Sequence, residues 1–302
     1  MADITSTQTV AAPAVKAPAS RIKWGVVGDH AVLIVGSLFM VLPVFLTFMT
    51  STHDQLTIHR DGMQWWFGDE LVNNYRDALF EKGGFTDSVD GLGMLMNSLI
   101  LGIGFAVGKI IVGMMAAYAI VYFRLKFATL AFWVIFTTLL LPLEVRILPS
   151  YEVIQGMGLT NTYTGLIVPL IASATATFFF RQYFRSVPEE LVEAARIDGA
   201  GPVKFFIDVL VPLSRTMIAA MFIIMFVFGW NQYLWPTLIT TEEGFFTLVR
   251  GIRQIIQAFA DGNAIPEYGQ AMALAIIAML PPVLIVLFFQ SWFVKGLTES
   301  DK

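Results

Sequence analysis

Six stretches of this chain are long and apolar enough to cross a bilayer, and they limit its fold more than any other feature. The hydrocarbon core of a bilayer is crossed by roughly 20 helical residues. Apolar runs of this length predict membrane-spanning helices rather than a soluble core. We therefore predict an all-α membrane protein with six spans, at about Ala31–Met49, Asn97–Phe123, Ala128–Leu148, Tyr163–Phe180, Thr216–Ile239 and Ala271–Val294.

The composition agrees with a membrane protein and excludes several chemistries. Hydrophobic residues make up 56% of the chain and charged residues 14%, whereas soluble domains have about 45–50% and 25%. The chain has no cysteine, so disulfides, thiolate metal sites and cysteine nucleophiles are excluded. Prolines fall inside or near several spans, which indicates either helices kinked around a cavity or ordinary kinks.

The distribution of Lys and Arg predicts the orientation in the membrane. Twelve of the 19 lie in segments on one side, six lie on the other side, and Lys109 lies mid-span. Basic residues favour the cytoplasm, so both termini and residues 185–213 are predicted to be cytoplasmic and residues 50–93 periplasmic. Residues 1–27 are interpreted as a disordered cytoplasmic tail and residues 28–302 as the membrane domain.

Two sequence features outside the main pattern have more than one interpretation. In the periplasmic loop, Trp65, Trp66 and Phe67 form either an interfacial anchor or the cap of a small external subdomain. In the second span, "GIGFAVGKII" resembles a phosphate-binding loop, but Ile110 stands where Ser or Thr is required. We reject ATP binding by this chain, and interpret Gly104 and Gly108 as a face for close helix packing.

Residues 187–206, "VPEELVEAARIDGAGPVKFF", predict a compact polar helix-turn-helix between spans four and five. Ser186 and Glu189 fit a capping box, and Pro188 fits the first turn. Gly199 suits a left-handed C-terminal cap, and Pro202 can begin a second helix.

The first helix of this segment has the properties of a docking element. Ala194, Ala195 and Gly199 predict a shallow side that seats in a partner's groove, with Glu193 and Arg196 making polar contacts at its edges. The alternative is an amphipathic loop that lies on lipid without a partner. The residues alone do not distinguish the two interpretations.

The same segment resembles the permeases of bacterial ABC importers. Those proteins carry E-A-A, three residues, G, nine residues and I-x-L-P in their last large cytoplasmic loop. Here the pattern is matched by Glu193-Ala194-Ala195, Gly199, Val209, Val211 and Pro212, with two valines replacing Ile and Leu. The resemblance implies that residues 185–213 contain a coupling helix that docks on a cytoplasmic ATPase, through Glu193, Ala194, Ala195, Arg196, Asp198 and Gly199.

From Asn97 onwards the chain is similar to the second permease of carbohydrate-type ABC importers, particularly those for sn-glycerol-3-phosphate. The segments "LPLEVRILP", "ASATATFFFRQYF", "GWNQYLWP" and "FVKGLTES" carry this likeness. It implies a type I importer permease in the bacterial inner membrane, with a second homologous permease, a dimer of ATP-binding subunits, a periplasmic solute-binding protein and membrane lipid as partners. Nucleic acid is not expected. The chain itself would need no cofactor, because ATP and magnesium would be bound by the ATPase.

The resemblance also implies a solute, sn-glycerol-3-phosphate or glycerophosphodiesters, with a neutral sugar as the alternative. A phosphate passing through a low-dielectric cavity favours nearby cations. The candidate pathway residues are Lys109, Arg146, Trp230, Asn231, Gln232 and Tyr233. Structural alternatives pair Arg146 with Glu144 or lipid headgroups, and Lys109 with a carbonyl or a neighbouring subunit. An intramembrane enzyme is disfavoured, because no known catalytic constellation occurs in the sequence.

Overall fold

The computed structural model describes residues 24–81, 86, 88–258 and 267–298. Within these ranges the chain is helical and has no strand, as predicted. The α-helices of this part are α1 (Trp24–Thr50), α2 (Gln55–Asp61), α3 (Leu71–Phe80), α4 (Gly91–Tyr122), α5 (Ala128–Thr137), α6 (Leu143–Gly156), α7 (Tyr163–Ile167), α8 (Ala174–Ser186), α9 (Glu189–Ile197), α10 (Pro202–Lys204), α11 (Val211–Leu213), α12 (Arg215–Trp230), α13 (Leu234–Ile239), α14 (Leu248–Ala258) and α15 (Tyr268–Thr298). The predicted tail lies mostly outside the described residues, and its last four positions, 24–27, belong to α1.

Three uninterrupted helices of the described part are long and apolar enough to cross a membrane, at Gly25–Thr50, Gly91–Tyr122 and Tyr268–Gln290. The number of spans reaches the predicted six if each of three bent helix pairs counts as one, but the third pair includes Pro202–Leu213, which belongs to the segment predicted to be cytoplasmic. These pairs are Ala128–Leu140 with Glu144–Gly156, Tyr163–Leu170 with Ala174–Ser186, and Pro202–Leu213 with Arg215–Trp230, bent by 103°, 50° and 76°.

Proline accounts for part of this interruption. Pro142 directly precedes α6, and Pro169 lies in a 3-10 turn, Val168–Leu170, directly after α7. A proline has no N–H to donate and its ring clashes with the preceding turn, so an α-helix breaks or kinks there. Predicted spans three and four are therefore broken rather than continuous. Predicted span five, Thr216–Ile239, is divided where α12 ends at Trp230 and α13 begins at Leu234.

The chain divides into two compact units at residues 44 and 45. The described part of the first unit is the N-terminal portion of α1, a single helix with exposed apolar side chains. In the second unit α4 packs against α8 and α12, and α12 packs against α15.

Glycines bring α4 close to its neighbours, as the sequence predicts. A Cβ added at Gly104 would lie 2.5 Å from Ile167, and one added at Gly108 would lie 2.5 Å from Ile171. Gly113 is equally tight, because its Cβ would lie 2.6 Å from the Cβ of Ala176 in α8. Small residues thus let α4 approach the broken helix formed by α7 and α8.

The loop predicted to be periplasmic contains two helices, α2 and α3. Asp54 begins α2, and its carboxylate accepts the backbone N–H groups of Leu56 and Thr57. Trp65 and Trp66 are 55% and 82% exposed. They do not cover a buried core in the described part of the chain, which favours the interpretation as an interfacial anchor.

Candidate functional site

A cavity of about 550 Å³ lies where three helices of the second unit break. The first break lies between Thr138–Leu140 and α6, the second between Val168–Leu170 and α8, and the third between α12 and α13. Non-helical backbone is tolerated at membrane depth where it lines a cavity or is buried in protein. The three breaks therefore identify the polar centre of this part of the structure, which we call the break cavity.

Five of the six predicted pathway residues line the break cavity: Lys109, Arg146, Asn231, Gln232 and Tyr233. Trp230 does not. It is 1% exposed, its indole N–H donates to the backbone oxygen of Ala278 at 3.0 Å, and its ring stacks on Phe226 at 5.6 Å. Trp230 is the last residue of α12 and faces α15, whereas the next residues leave the helix and turn to the cavity.

Lys109 reaches the break cavity from the uninterrupted helix α4, although only 6% of its surface is exposed. Its ammonium lies 5.1 Å from the ring centroids of both Phe105 and Phe228. Phe105 is one turn earlier on the same face of α4, and Phe228 comes from α12. Both contacts have cation–π geometry. In the described part of the chain no carboxylate and no carbonyl pairs with this ammonium, so the alternative in which a carbonyl partners Lys109 is not realised within it.

Arg146 is exposed at the break cavity, three positions after the first residue of α6. Glu144 lines the same cavity but does not pair with it, because the ion pair recorded among the described residues is that of Arg60 with Asp61. The alternative in which Glu144 neutralises Arg146 is therefore not realised here. Two cations and one carboxylate share the cavity.

The sequence reasoning missed the contribution of the second break. Ser173 is the N-cap of α8, and its hydroxyl accepts the backbone N–H of Ala176 at 3.3 Å. Ala172, Ser173, Ala174 and Thr175 all line the cavity. Serine before a helical segment is a recognised N-cap signal. Ser173, however, lies within Tyr163–Phe180, which was predicted to be one continuous span.

The N-terminus of α9 differs from the prediction. The N-cap is Pro188, and no side chain caps the helix. The hydroxyl of Ser186 instead donates to the backbone oxygen of Tyr183 at 2.7 Å, because Ser186 is still the last residue of α8. The predicted capping box of Ser186 and Glu189 is therefore wrong.

The C-terminus of α9 has the predicted glycine cap. Gly199 has φ +73°. Its N–H donates to Arg196 O, and the N–H of Ala200 donates to Ala195 O, at 3.0 and 2.9 Å. These two bonds form a Schellman motif. Pro202 then begins α10, also as predicted.

The predicted docking residues lie on the outside of this turn, with one exception. Glu193, Ala194, Arg196, Asp198 and Gly199 are exposed. Ala195 is 9% exposed and packs inward, so it does not belong to the shallow side as predicted. The sequence reasoning also missed two exposed apolar residues nearby, Ile197 and Val203, with 86% and 70% of their surface exposed.

Two tyrosines of α4 pack beside this turn, and Tyr118 is hydrogen-bonded to it whereas Tyr122 is hydrogen-bonded to α8. The hydroxyl of Tyr118 donates to Pro202 O at 2.8 Å, and that of Tyr122 donates to Phe184 O at 3.1 Å. Their rings contact Phe205 at 6.4 and 5.4 Å between centroids. A shift of the turn would therefore be transmitted to α4.

Comparison with known proteins places these features in a family. The family profile described as "Binding-protein-dependent transport system inner membrane component" matches residues 109–299. The sn-glycerol-3-phosphate transport system permease protein UgpE of Brucella melitensis is 48% identical over 276 residues, covering 90% of this chain and 96% of the relative. The protein of that name from Pectobacterium atrosepticum is 47% identical, with coverages of 91% and 96%.

A solved structure supports the fold. A chain of a bacterial ABC transporter involved in the import of the acidic polysaccharide alginate superposes with a TM-score of 0.75. It covers 92% of this chain and 100% of the other, at 19% sequence identity. The likeness at this identity concerns the fold, which is that of an ABC importer permease.

Proposed function

We propose that this chain, which belongs to the family of binding-protein-dependent transport system inner membrane components, transports sn-glycerol-3-phosphate and glycerophosphodiesters inward. The chain is a multi-pass permease subunit of an ABC importer, and in such systems the ATPase is a separate subunit. The observation that carries the solute assignment is the break cavity. It presents Lys109 and Arg146, without a paired carboxylate among the described residues, to a passing phosphate.

The exposed turn after α9 is the surface on which the ATPase dimer docks. Glu193, Arg196 and Asp198 supply polar contacts, and Ala194 with Gly199 leaves room for a close approach. Closure of the ATPase dimer on ATP would move this turn. The hydrogen bond of Tyr118 to Pro202 O and the ring contact of Tyr122 with Phe205 would carry the movement to α4, which holds Lys109. A ligand shifts such an equilibrium only through different affinities for the two states.

The remaining partners follow from the same arrangement. A second, homologous permease completes the pathway, and a periplasmic solute-binding protein delivers the solute to the side that bears residues 50–93. Both termini are then cytoplasmic, in agreement with the excess of Lys and Arg on that side.

A neutral sugar is the second candidate solute, because Asn231, Gln232 and Tyr233 also line the break cavity. Amide side chains and an aromatic ring are sufficient to bind a sugar without any cation. With a neutral sugar as solute, the buried charge of Lys109 would have no function, and a charge at membrane depth costs free energy. For this reason the phosphate ester is preferred.

Uptake by the complete complex in proteoliposomes tests this proposal. The solutes compared are radiolabelled sn-glycerol-3-phosphate, glycerophosphocholine and maltose, with the matching binding protein and internal ATP. We expect saturable, ATP-dependent uptake of the two phosphate compounds and none of maltose. Vesicles without ATP give the background. Saturable maltose uptake with no response to either phosphate compound would reject the solute assignment.

A further inference from the structure

Two features that stabilise negative charge line the break cavity. The first is the ammonium of Lys109, on a side chain with 6% of its surface exposed. The second is the N-terminus of α8, a 13-residue helix that begins at Ala174. Helix α4 holds the lysine, and the break before α8 supplies the backbone N–H groups, so neither feature depends on the other.

Lys109 is a buried cation without an anionic partner among the described residues. Its contacts in the described part of the chain are the rings of Phe105 and Phe228, and no acceptor oxygen or carboxylate of that part pairs with it. A charge at this depth is costly and is retained where it serves a partner, a pathway or a ligand. Because Lys109 lines the cavity, an anion entering it can reach the ammonium.

The N-terminus of α8 lines the same cavity with unused donors. The backbone N–H groups of Ala174 and Thr175 make no hydrogen bond within the described residues. The N–H of Ala176 is occupied by the hydroxyl of Ser173. Unpaired N–H groups and the helix dipole make such a terminus an anion site, suited above all to phosphate. The break at Ile171 is what exposes this terminus inside the membrane.

We infer that Lys109 and the first N–H groups of α8 form a phosphate subsite, so that this permease chain itself contacts the phosphate of the solute. This inference rests on the proposed function, because it assigns the phosphate group of that solute. The ammonium approaches the phosphate oxygens from α4, and the N–H groups of Ala174 and Thr175 donate to the same phosphate from α8. Arg146 attracts the solute at the exposed part of the cavity, and Glu144, in the same cavity, disfavours a second anion.

Kinetic constants for sn-glycerol-3-phosphate uptake by the complete complex in proteoliposomes test the subsite. Lys109→Met removes the charge and keeps an unbranched side chain that is one atom shorter. We expect KM to rise about tenfold or more, since a hydrogen bond to a charged group is lost. Lys109→Arg should retain most of the uptake. Lys126→Met is the matched control, because Lys126 is an exposed lysine that also lies over a phenylalanine ring.

A second variant removes a donor from the helix terminus. Ala174 is the first residue of α8, a position that accepts proline, and Ser173 before it has the extended φ and ψ that proline requires. Ala174→Pro therefore deletes one N–H group without breaking a hydrogen bond. We expect KM to rise about threefold. Gln55→Pro, at the first position of α2 after Asp54, is the control with no expected effect.

The outcomes separate this inference from the proposed function. Wild-type uptake of the phosphate ester, with both Lys109→Met and Ala174→Pro within twofold of wild-type KM, would overturn the subsite and leave the function intact. That same result is expected if the site holds a lipid phosphate instead. Wild-type uptake of maltose alone would overturn both. If Lys109→Met reduces complex assembly, Ala174→Pro decides: a raised KM supports the subsite and an unchanged KM rejects it.

Discussion

At the scale of single residues, Gly199 has a conformation that is sensitive to substitution, with a positive φ like those of Gly62 and Gly158. Its φ of +73° is one that residues with a Cβ rarely adopt, and a Cβ built on it meets no atom within 4 Å. The effect of a substitution is therefore conformational rather than steric. A left-handed conformation costs a residue other than glycine about 1–2 kcal/mol, and more for a β-branched one.

Gly199→Val is predicted to give a complex that is inserted and assembled but transports poorly. The turn that follows α9 would shift, and with it the surface proposed to receive the ATPase. The measurement is ATP hydrolysis and solute uptake with and without the binding protein, and we expect hydrolysis that no longer responds to it. Gly201→Val is the matched control, because Gly201 has φ −68° and equal space around it. Full uptake in Gly199→Val would contradict the role assigned to this turn.

At the scale of helices, the turn after α9 depends on its attachment to α4. Tyr118 is 9% exposed, and its hydroxyl bonds to the backbone oxygen of Pro202, the residue that begins α10. The helix that continues from Pro202 widens into a π-helical segment, Phe205–Leu210, before Pro212. The N–H of Val211 accordingly donates to Phe206 O, five residues earlier. Such segments recur at functional sites.

Tyr118→Phe is predicted to weaken coupling with little change in stability. One hydrogen bond of about 1 kcal/mol is lost, and the ring contacts remain. We expect less solute transported per ATP hydrolysed. Tyr163→Phe is the control, because it also deletes one hydrogen-bonding hydroxyl. That hydroxyl donates to the side chain of Asn97, away from this turn. An equal ratio of transport to hydrolysis in both variants would show that the Tyr118 bond is only structural.

At the scale of the whole molecule, the proposed orientation in the membrane can be tested with single cysteines. The chain has no native cysteine, so a cysteine placed at Asp61 or Lys204 is the only thiol of this subunit. Both positions are exposed in this chain, so burial within it cannot explain a missing reaction. We expect an impermeant maleimide to label Asp61→Cys in spheroplasts, and Lys204→Cys only after permeabilisation. Labelling of Lys204→Cys in sealed spheroplasts would overturn the orientation.

Local patterns in the sequence were enough to predict several parts of this protein. The glycine cap at residue 199 and the helix start at Pro202 depend on near neighbours along the chain, and the structure confirms them. Of the six apolar windows, the first, second and sixth coincide with uninterrupted helices long enough to cross a membrane, and the other three are broken. The close approach of α4 at Gly104 and Gly108 was also predicted, because only small residues permit it. Such features are encoded by hydropathy and backbone preference over a few residues.

Other parts follow from contacts between residues far apart in the chain. Trp230 and Asn231 are adjacent, yet one packs on α15 and the other lines the break cavity, because the helix ends between them. Ala195 is buried and Ala194 is exposed, since the rotation of α9 depends on what it packs against. Lys109 and the N-terminus of α8 line one cavity because separate helices pack around three helix breaks. No local pattern encodes that convergence, which depends on the packing of separate helices.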